Sequence, residues 1–371
     1  MIKGKIREEK TYVHKPTLNY RKLDALNQSM LKLFDSDPVK FFEEFKMGKK
    51  KKDKKNTALI IGDLVDFYLL ACGADEQEFE NRFDERFALF NGTKGSGQVF
   101  VLADILFDIS EECIESGRTN CSFEKRFEDA FNAIKDIKDG EGAQRYYKGK
   151  TLDKVLDEFN EKGLEYFQTK MDNIGKVVVD LSLVDKSKIV AKRMASDSFT
   201  KDIFGVEETK EVLTHFPIEW VYAGINCKAE VDRLEINHTK KIIQPDDLKT
   251  TYDNESFEYM YMKNSYYLQN AFYVKAVEYW AQTELPGYKV LPMRFIVGDT
   301  SFNNRRPLVY VTSEKDVKAG YEGFDYKGNH YKGVKELINE INWCEENNIW
   351  NCSKEVFDNN GVMKLNINYE S

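Results

Sequence analysis

The first part of the chain has the apolar spacing of helices. Between residues 26 and 45, apolar side chains recur at intervals of three and four, with a break at Pro38. This spacing predicts two short helices joined at the proline, the first capped by Asn27 or Ser29. The segment TALIIGDLVDFYLL (57–70) predicts a buried helix, and helical spacing continues from about 100 to 200, interrupted by the valines at 177–179.

From Glu211 onward the pattern becomes strand-like. EVLTHFPIEWVY and GINCKAEVDRLEIN predict strands, and a turn at NHTKK precedes IIQPDDLKTT. SYYLQNAFYVKAVEYWA predicts a helix, KVLPMRFIVGD and RPLVYVTSE predict strands, and a last helix is expected from Tyr331 to about Asn347. No repeat or Pro/Ser-rich linker divides the chain. We therefore expect one domain over 1–371, mostly helical in 1–200 and with a sheet-bearing core in 205–371.

Two aspartates in the predicted hairpin stand at matching positions. If the turn is centred between Thr239 and Lys240, an antiparallel pairing places Asp232 opposite Asp247. Because side chains alternate along a strand, Asp247 and Lys249 share one face, and we expect Leu248 to point into the core on the other.

Facing carboxylates are destabilising unless a cation lies between them, and Mg²⁺ selects carboxylate oxygens. The hairpin therefore predicts a metal site, and the alternative is a surface hairpin with a solvated salt bridge. At such a site an ammonium group can orient or deprotonate a water. The metal would lower the pKa of that water and neutralise charge on a phosphoryl oxygen.

The helix that follows favours the metal-site interpretation. Tyr266, Gln269 and Tyr273 are spaced three and four residues apart, so they line one helical face. The tyrosines alone would fit a core, but a glutamine between them needs a polar partner.

Composition narrows the class of protein. The 371 residues are 42% hydrophobic and 32% charged, which is typical of a globular protein with a charged surface. No membrane-length apolar run or signal segment is visible, so the cytoplasm is the expected location. The six cysteines form no C-x-x-C pair, which disfavours a zinc site. The net charge of −8 argues against a protein that coats nucleic acid, although a local basic groove remains open. The run KKKKDKK at 49–55 is either a solvated loop or a phosphate contact.

These motifs together resemble a known family. Asp232, then Asp247-Leu248-Lys249, then Gln269-x-x-x-Tyr273 resembles the PD-(D/E)XK nuclease core with the glutamine-tyrosine motif of its RecB-like and RecE-like branches. SMLKLFDSDPVKFF (29–42) is similar to the family's S-x-L-x-x-F…P-x-x-F opening. The segments RFIVGDTS and VYVTSEKDVKAGYEGFDY look like the last strands and helix of RecE-like phage exonucleases (exodeoxyribonuclease VIII).

The resemblance implies an α/β restriction-endonuclease-like core, in which a mixed central sheet is flanked by helices and preceded by a helical amino-terminal part. It implies hydrolysis of DNA from duplex ends, 5′ to 3′, with Mg²⁺ or Mn²⁺ and two ions in the site. The implied partner besides DNA is a single-strand annealing protein of phage recombination. The implied location is the host cytoplasm if a phage encodes the chain, with no membrane and with a homo-oligomer left open.

The resemblance also implies roles for residues. Asp232, Asp247 and the Leu248 carbonyl would hold metal, and Lys249 would position the attacking water. Glu211, or failing that Glu219, would supply a further acidic ligand from the preceding strand. The remaining implied DNA contacts are Tyr266, Gln269, Tyr273, Lys50, Lys51 and Lys52.

Asp66 stands apart from these residues. Gly62 to Asp66 resembles the family's G-x-x-x-H helix, with Asp66 where many members have histidine. An aspartate there would lie near the metal. The alternative is that Asp66 bonds a helix end or a basic neighbour, with Asp63 on a nearby face.

Two other functions stay open. One is an endonuclease that uses the same residues. The other is a nuclease-derived DNA-binding or structural phage protein, which the acidic overall charge favours. The intact acid pair and lysine argue against it, because a protein that only binds DNA has no need of two facing carboxylates near phosphate.

Overall fold

The structure is a computed structural model that describes residues 11–12, 23–49, 56–92, 97–118, 122–205, 207, 209–301 and 303–362. Its strands are β1 (Thr11–Tyr12), β2 (Phe87–Phe90), β3 (Val177–Asp180), β4 (Lys210–Tyr222), β5 (Ile225–Asn237), β6 (Ile242–Thr251), β7 (Lys289–Val290), β8 (Arg294–Asp299), β9 (Leu308–Val311), β10 (Phe324–Tyr326) and β11 (Asn329–Tyr331).

Its α-helices are α1 (Gln28–Ser36), α2 (Pro38–Phe41), α3 (Thr57–Asp66), α4 (Glu76–Arg86), α5 (Gln98–Glu115), α6 (Phe123–Lys135), α7 (Leu152–Lys162), α8 (Leu164–Asp172), α9 (Leu181–Ser196), α10 (Lys201–Phe204), α11 (Phe257–Lys263), α12 (Tyr266–Glu284), α13 (Glu314–Glu322), α14 (Val334–Asn347) and α15 (Lys354–Asp358). Phe42–Lys46 and Phe67–Ala71 are π-helical.

The chain divides into two compact units. The first, which we call the sheet unit, comprises residues 1–55, 69–71 and 192–371, and the second, the helical unit, comprises 56–68 and 72–191. The sequence prediction grouped residues 1–200 as one helical region. The contacts instead group residues 1–55 with the sheet, because α1 packs on α12 and α14.

The sheet unit is built on a mixed sheet in the order β1-β4-β5-β6-β8-β9, with β7 also paired to β6. In this sheet β1 and β4, β4 and β5, and β5 and β6 pair antiparallel. β6 and β8 are parallel, and β8 and β9 are antiparallel. Parallel neighbours need a crossover, and α11 and α12 lie within the connection from β6 to β8. The mixed sheet, its helices and the helical amino-terminal part confirm the predicted α/β class.

Helix α12 forms the centre of the sheet unit's core. It contacts β4, β5 and β6 on one side and α1, α13 and α14 on others, which explains why most of its residues are buried. Leu268, Phe272 and Val277 of α12 share a core with Leu234 of β5 and Ile243 of β6. This helix therefore holds its side chains rigidly against the middle strands of the sheet.

The helical unit has a core of its own. Helix α5 packs against α6, α7 and α8, and its residues Leu102 and Leu106 are fully buried. The valines at 177–179, predicted only as an interruption, form β3, which pairs in parallel with β2. They are apolar because β3 lies against this core.

Local predictions were confirmed where the signal was short-range. Helix α1 is capped by Asn27, whose side chain accepts the backbone N–H of Met30 at 3.0 Å. Pro38, at which the pattern breaks, is the first residue of α2, a position where a backbone N–H has no partner within the helix. The last long helix begins at Val334, three residues later than predicted, because β11 extends to Tyr331.

Candidate active site

The two aspartates predicted to face each other lie where two strands part. The β5–β6 ladder runs from Asn237↔Ile242 to Arg233↔Asp246, and the same register places Asp232 opposite Asp247. The ladder has the predicted register, but its last pair is Arg233↔Asp246, so Asp232 and Asp247 occupy the next positions without being paired. Beyond that level β5 stays paired with β4 and β6 stays paired with β8. The two carboxylates therefore lie at a fork between diverging strands.

Asp232 is half-buried and reaches across this fork. Its Oδ2 accepts the backbone N–H of Leu248 at 2.9 Å. If the β5–β6 ladder continued past Asp246, main-chain carbonyl groups of β5 would accept the amides of β6. The Asp232 side chain satisfies one such amide, so the carboxylate is held at a defined position between the strands.

Asp247 is completely buried, and both its oxygens have neighbours. Gln269 Nε2 donates to Oδ1 at 2.5 Å, and the ammonium of Lys249 forms an ion pair with Oδ2. Oδ2 is buried without a well-aligned hydrogen bond. A buried carboxylate that depends on one ammonium contact retains unused acceptor capacity.

Lys249 is held in its charged form. Burial acts to lower its pKa, but the carboxylates of Asp247 and Asp232 outweigh burial, so the pKa is raised above its ordinary value. Its Nζ also lies 5.0 Å from the centre of the Tyr266 ring, a distance that suits a cation–π contact. Lys249 therefore presents a positive charge at neutral pH.

Lys32 on α1 is a member of the site that the sequence analysis missed. Its Nζ lies 4.8 Å from the centre of the same Tyr266 ring. Burial and the positive charge of Lys249 lower its pKa to about 7, against a smaller opposing effect of Asp247. Lys32 lies within the SMLKLFDSDPVKFF segment, but no local pattern marks it, because only the packing of α1 on α12 brings it here.

The three residues predicted on one helical face do lie on α12, with different surroundings. Gln269 is bonded to Asp247, which supplies the polar partner that its burial requires. Tyr266 is half-buried, and the ammonium groups of Lys32 and Lys249 both lie near its ring. Tyr273 is a buried member of the core cluster.

The opposite face of the same strands carries an ionic network. Arg233 and Arg294 both bond Asp246, with Arg233 Nη1 at 2.5 Å from Oδ2 and Arg294 Nε at 2.7 Å from Oδ1, and Arg233 also pairs with Glu235. Leu248 points to this face, where it is half-buried and outside the core cluster. Leu248 therefore does not point into the core around α12, which lies on the Asp247 side; its neighbour Ile296 on the same face is completely buried.

Other predicted site residues do not join this pair. Glu211 lies on β4 opposite Ile236, four positions along the register from Asp232, and bonds His238 at 3.0 Å. Glu219 lies opposite Lys228, four positions in the other direction. The structure therefore brings neither glutamate to the carboxylates.

Asp66 belongs to the helical unit and lies 3.6 Å from Arg86, which also pairs with Asp63 at 3.1 Å. This contact matches the alternative of a basic neighbour. Lys50, Lys51 and Lys52 lie outside the described residues.

The residues present fit a magnesium ion. In the described part of the chain, no three His, Cys, Asp or Glu side chains come together to hold a metal. Mg²⁺ needs fewer, because it keeps several waters and binds through one or two carboxylates. Asp232 and Asp247 would supply these, and the buried Asp247 Oδ2 has the acceptor capacity that a cation would use.

No protein-family model matches the chain, and no curated protein sequence is similar enough to it to count as a relative. None of the described helices is long and apolar enough to cross a membrane. Any functional conclusion about this protein therefore depends on its own residues and on the motif resemblance that they carry.

Proposed function

We propose that this protein is a Mg²⁺-dependent deoxyribonuclease that hydrolyses duplex DNA from its ends, as the resemblance to RecE-like PD-(D/E)XK nucleases implies. One observation carries the proposal: Asp232 and Asp247 are the first positions beyond the β5–β6 ladder, Asp232 accepts the Leu248 amide next to Asp247, and the Lys249 ammonium pairs with Asp247. The resemblance implies that two carboxylates and a lysine of this kind hold the metal and act on the attacking water, and a bound metal can both lower the pKa of a water and neutralise charge on a phosphoryl oxygen.

In this reaction a water oxygen bonds to phosphorus, the bond from phosphorus to one sugar oxygen breaks, and overall one proton of the water ends on that sugar oxygen. A bound Mg²⁺ would supply neutralising charge for the phosphoryl oxygens and a lowered pKa for the water. Asp232 and Asp247 would hold the ion, and the Leu248 amide and Gln269 keep these carboxylates oriented.

Lys249 would act through its positive charge. Burial acts to lower its pKa, but the carboxylates of Asp247 and Asp232 raise it further, so the amine is protonated in the protein without a bound ion. An ammonium in this position orients the attacking oxygen and stabilises the negative charge that develops on the phosphoryl group.

Lys32 and Lys249 together favour an anionic substrate. Two ammonium groups near one aromatic ring repel each other, and an anion between or beside them relieves the repulsion. A DNA phosphate supplies that anion. Its negative charge would also favour the charged form of Lys32, whose pKa is lowered in the protein alone.

The direct test incubates the protein with linear duplex DNA labelled at both ends, in Mg²⁺ and in EDTA, beside a covalently closed circle of the same sequence. We expect Mg²⁺-dependent loss of linear DNA and no loss of the circle. Cleavage of the circle would indicate the endonuclease alternative. Binding without cleavage of either substrate would indicate a nuclease-derived DNA-binding protein.

Two matched variants exclude a contaminating nuclease. Asp247→Asn should abolish cleavage, whereas Glu211→Gln changes an acidic residue of the same sheet that the structure keeps away from the fork, so it should leave cleavage intact. Equal activity of wild type and Asp247→Asn would refute this site.

A further inference from the structure

One residue inside a long strand has a left-handed backbone. His215 lies in the middle of β4 and has φ +47°, a region that residues other than glycine enter rarely and at an energetic cost. Its neighbours Thr214 and Phe216 pair normally with Arg233 and Val231 of β5. Within these two described strands the pairing is interrupted only at His215, which faces Asp232 in the register.

The burial pattern changes phase at the same position. On β5 the core-facing residues are Ala229 and Val231 on one side of Asp232, and Leu234 and Ile236 on the other. A regular strand has a period of two, so Val231 and Leu234 could not both face the core. The change of phase turns Arg233 to the opposite face, where it binds Asp246.

β4 changes phase in step with β5. Phe216 packs against the core at one end of the interruption and Leu213 at the other, again three residues apart. A single left-handed residue can re-aim the side chains of a strand, and here it does so without an inserted residue, because the β4–β5 register is the same on both sides of His215.

The shift also explains how Asp232 enters the fork. If β5 continued the phase of Ala229 and Val231, Asp232 would point away from the face that carries Asp247 and α12. Instead its carboxylate accepts the Leu248 amide on β6, beside Asp247. The left-handed backbone at His215 and the change of phase in β4 and β5 thus occur at the same level as the first carboxylate.

We propose that His215 is a positioning residue whose left-handed backbone holds Asp232 in the fork beside Asp247. As a statement about catalysis this rests on the proposed nuclease function. As a statement about the position of Asp232 it stands independently.

The test compares substitutions that differ in their tolerance of a left-handed backbone. Glycine and asparagine adopt it readily, alanine less so, and β-branched valine resists it. We expect His215→Gly and His215→Asn to retain most of the wild-type kcat on linear duplex DNA. His215→Val should lose about 100-fold in kcat with little change in KM, because a displacement of about 1 Å at a reacting group has that effect.

A matched control is available in the same hairpin. Ala223 also has a left-handed backbone, φ +50°, but lies in the turn between β4 and β5, far along the strands from Asp232. Ala223→Val should reduce thermal stability and leave kcat unchanged. If His215→Gly loses as much kcat as His215→Val, the imidazole is the active feature and the proposal is overturned. Full kcat in His215→Val overturns it as well.

A second measurement does not need nuclease activity. Hydrogen exchange of the Leu248 amide, relative to the ladder amide of Leu234, reports whether Asp232 still accepts from it. His215→Val should accelerate this exchange and His215→Gly should not, with His215→Ala in between and usable if the valine variant fails to fold. If wild-type protein cleaves no DNA, the proposed function fails and the exchange still decides the positioning role. Unchanged exchange at Leu248 in both the valine and alanine variants would refute it.

Discussion

Two neighbouring aspartates on β6 have different roles, one structural and one as a candidate metal ligand. Asp246 and Asp247 are both completely buried, but they point to opposite faces of β6. Asp246 is bonded by two guanidinium groups, whereas Asp247 has Gln269 and the ammonium of Lys249. A buried carboxylate saturated by arginines is structural, and one with acceptor capacity left beside a second carboxylate is a candidate ligand.

Lys249 should affect turnover more than binding. Lys249→Met retains much of the side chain's volume and removes the charge, so we expect kcat to fall by about 100-fold, the usual scale for a group acting in the transition state. Single-turnover cleavage and equilibrium DNA binding, measured on the same labelled duplex, separate the two effects. Weakened binding with an unchanged rate would make Lys249 a phosphate contact only.

Lys32 should affect DNA binding more than turnover, and its effect on stability should depend on pH. Its pKa is lowered to about 7 from an unfolded value of 10.5, so charging it opposes folding. The folded state binds fewer protons than the unfolded state between those values, and stability therefore rises as pH increases from about 7 to 10.5. Below pH 7 the destabilisation is fully present.

We therefore expect Lys32→Met to raise the melting temperature at pH 6 and to give a smaller gain at pH 9, measured without divalent ions. The same variant should weaken DNA binding. A melting temperature that falls equally at both pH values would show that the ammonium stabilises the free protein.

At the scale of elements, the ionic network fixes three strands in register. Arg233 lies on β5, Asp246 on β6 and Arg294 on β8, and the shared carboxylate joins them on the face opposite the candidate site. A one-residue slip of β6 would exchange the faces of Asp246 and Asp247. The network thus opposes a slip that would remove the second carboxylate from the fork.

Asp246→Ala should accordingly be strongly destabilising, by about 3 kcal/mol, because it leaves buried arginine charge without its partner. Urea denaturation against Asp247→Asn provides the comparison. We expect the Asp247 variant to keep more of its stability while losing cleavage. Similar stability in Asp246→Ala and wild type would mean that water or another acid compensates Arg233.

At the scale of the whole molecule, charge is unevenly divided. The helical unit contains 27 acidic and 17 basic residues, a net charge of −10, and the sheet unit contains the other 36 acidic and 38 basic residues, a net charge of +2. Under the proposed function, this division favours the sheet unit as the part that would bind DNA, since nucleic acid binds where positive charge is concentrated. The overall charge of −8 conceals this difference.

The lysine run at 49–55 gives a test at this scale. Changing Lys50, Lys51, Lys52 and Lys54 to glutamine should weaken DNA binding and flatten its dependence on salt, because fewer counterions are released. The control makes the same charge change in the helical unit, at Lys125, Lys154, Lys162 and Lys176. Equal salt slopes in the two variants and wild type would indicate that the lysine run is a solvated loop that does not contact DNA.

The sequence by itself determined the features that depend on local rules. Capping rules give the cap at Asn27, and strand alternation gives the register of β5 and β6 that sets Asp232 against Asp247. The helical period gives the shared face of Tyr266 and Gln269. All three rules act over a few residues.

Tertiary structure alone decided the rest. Lys32 joins the site from 200 residues before Asp232, and Glu211 is kept away by the strand register. Leu248 faces away from the core around α12, because α12 covers the other side of β6. The reason is physical. Alternation states that two residues lie on opposite faces, but which face becomes the core depends on where a distant helix packs, and no local pattern records that.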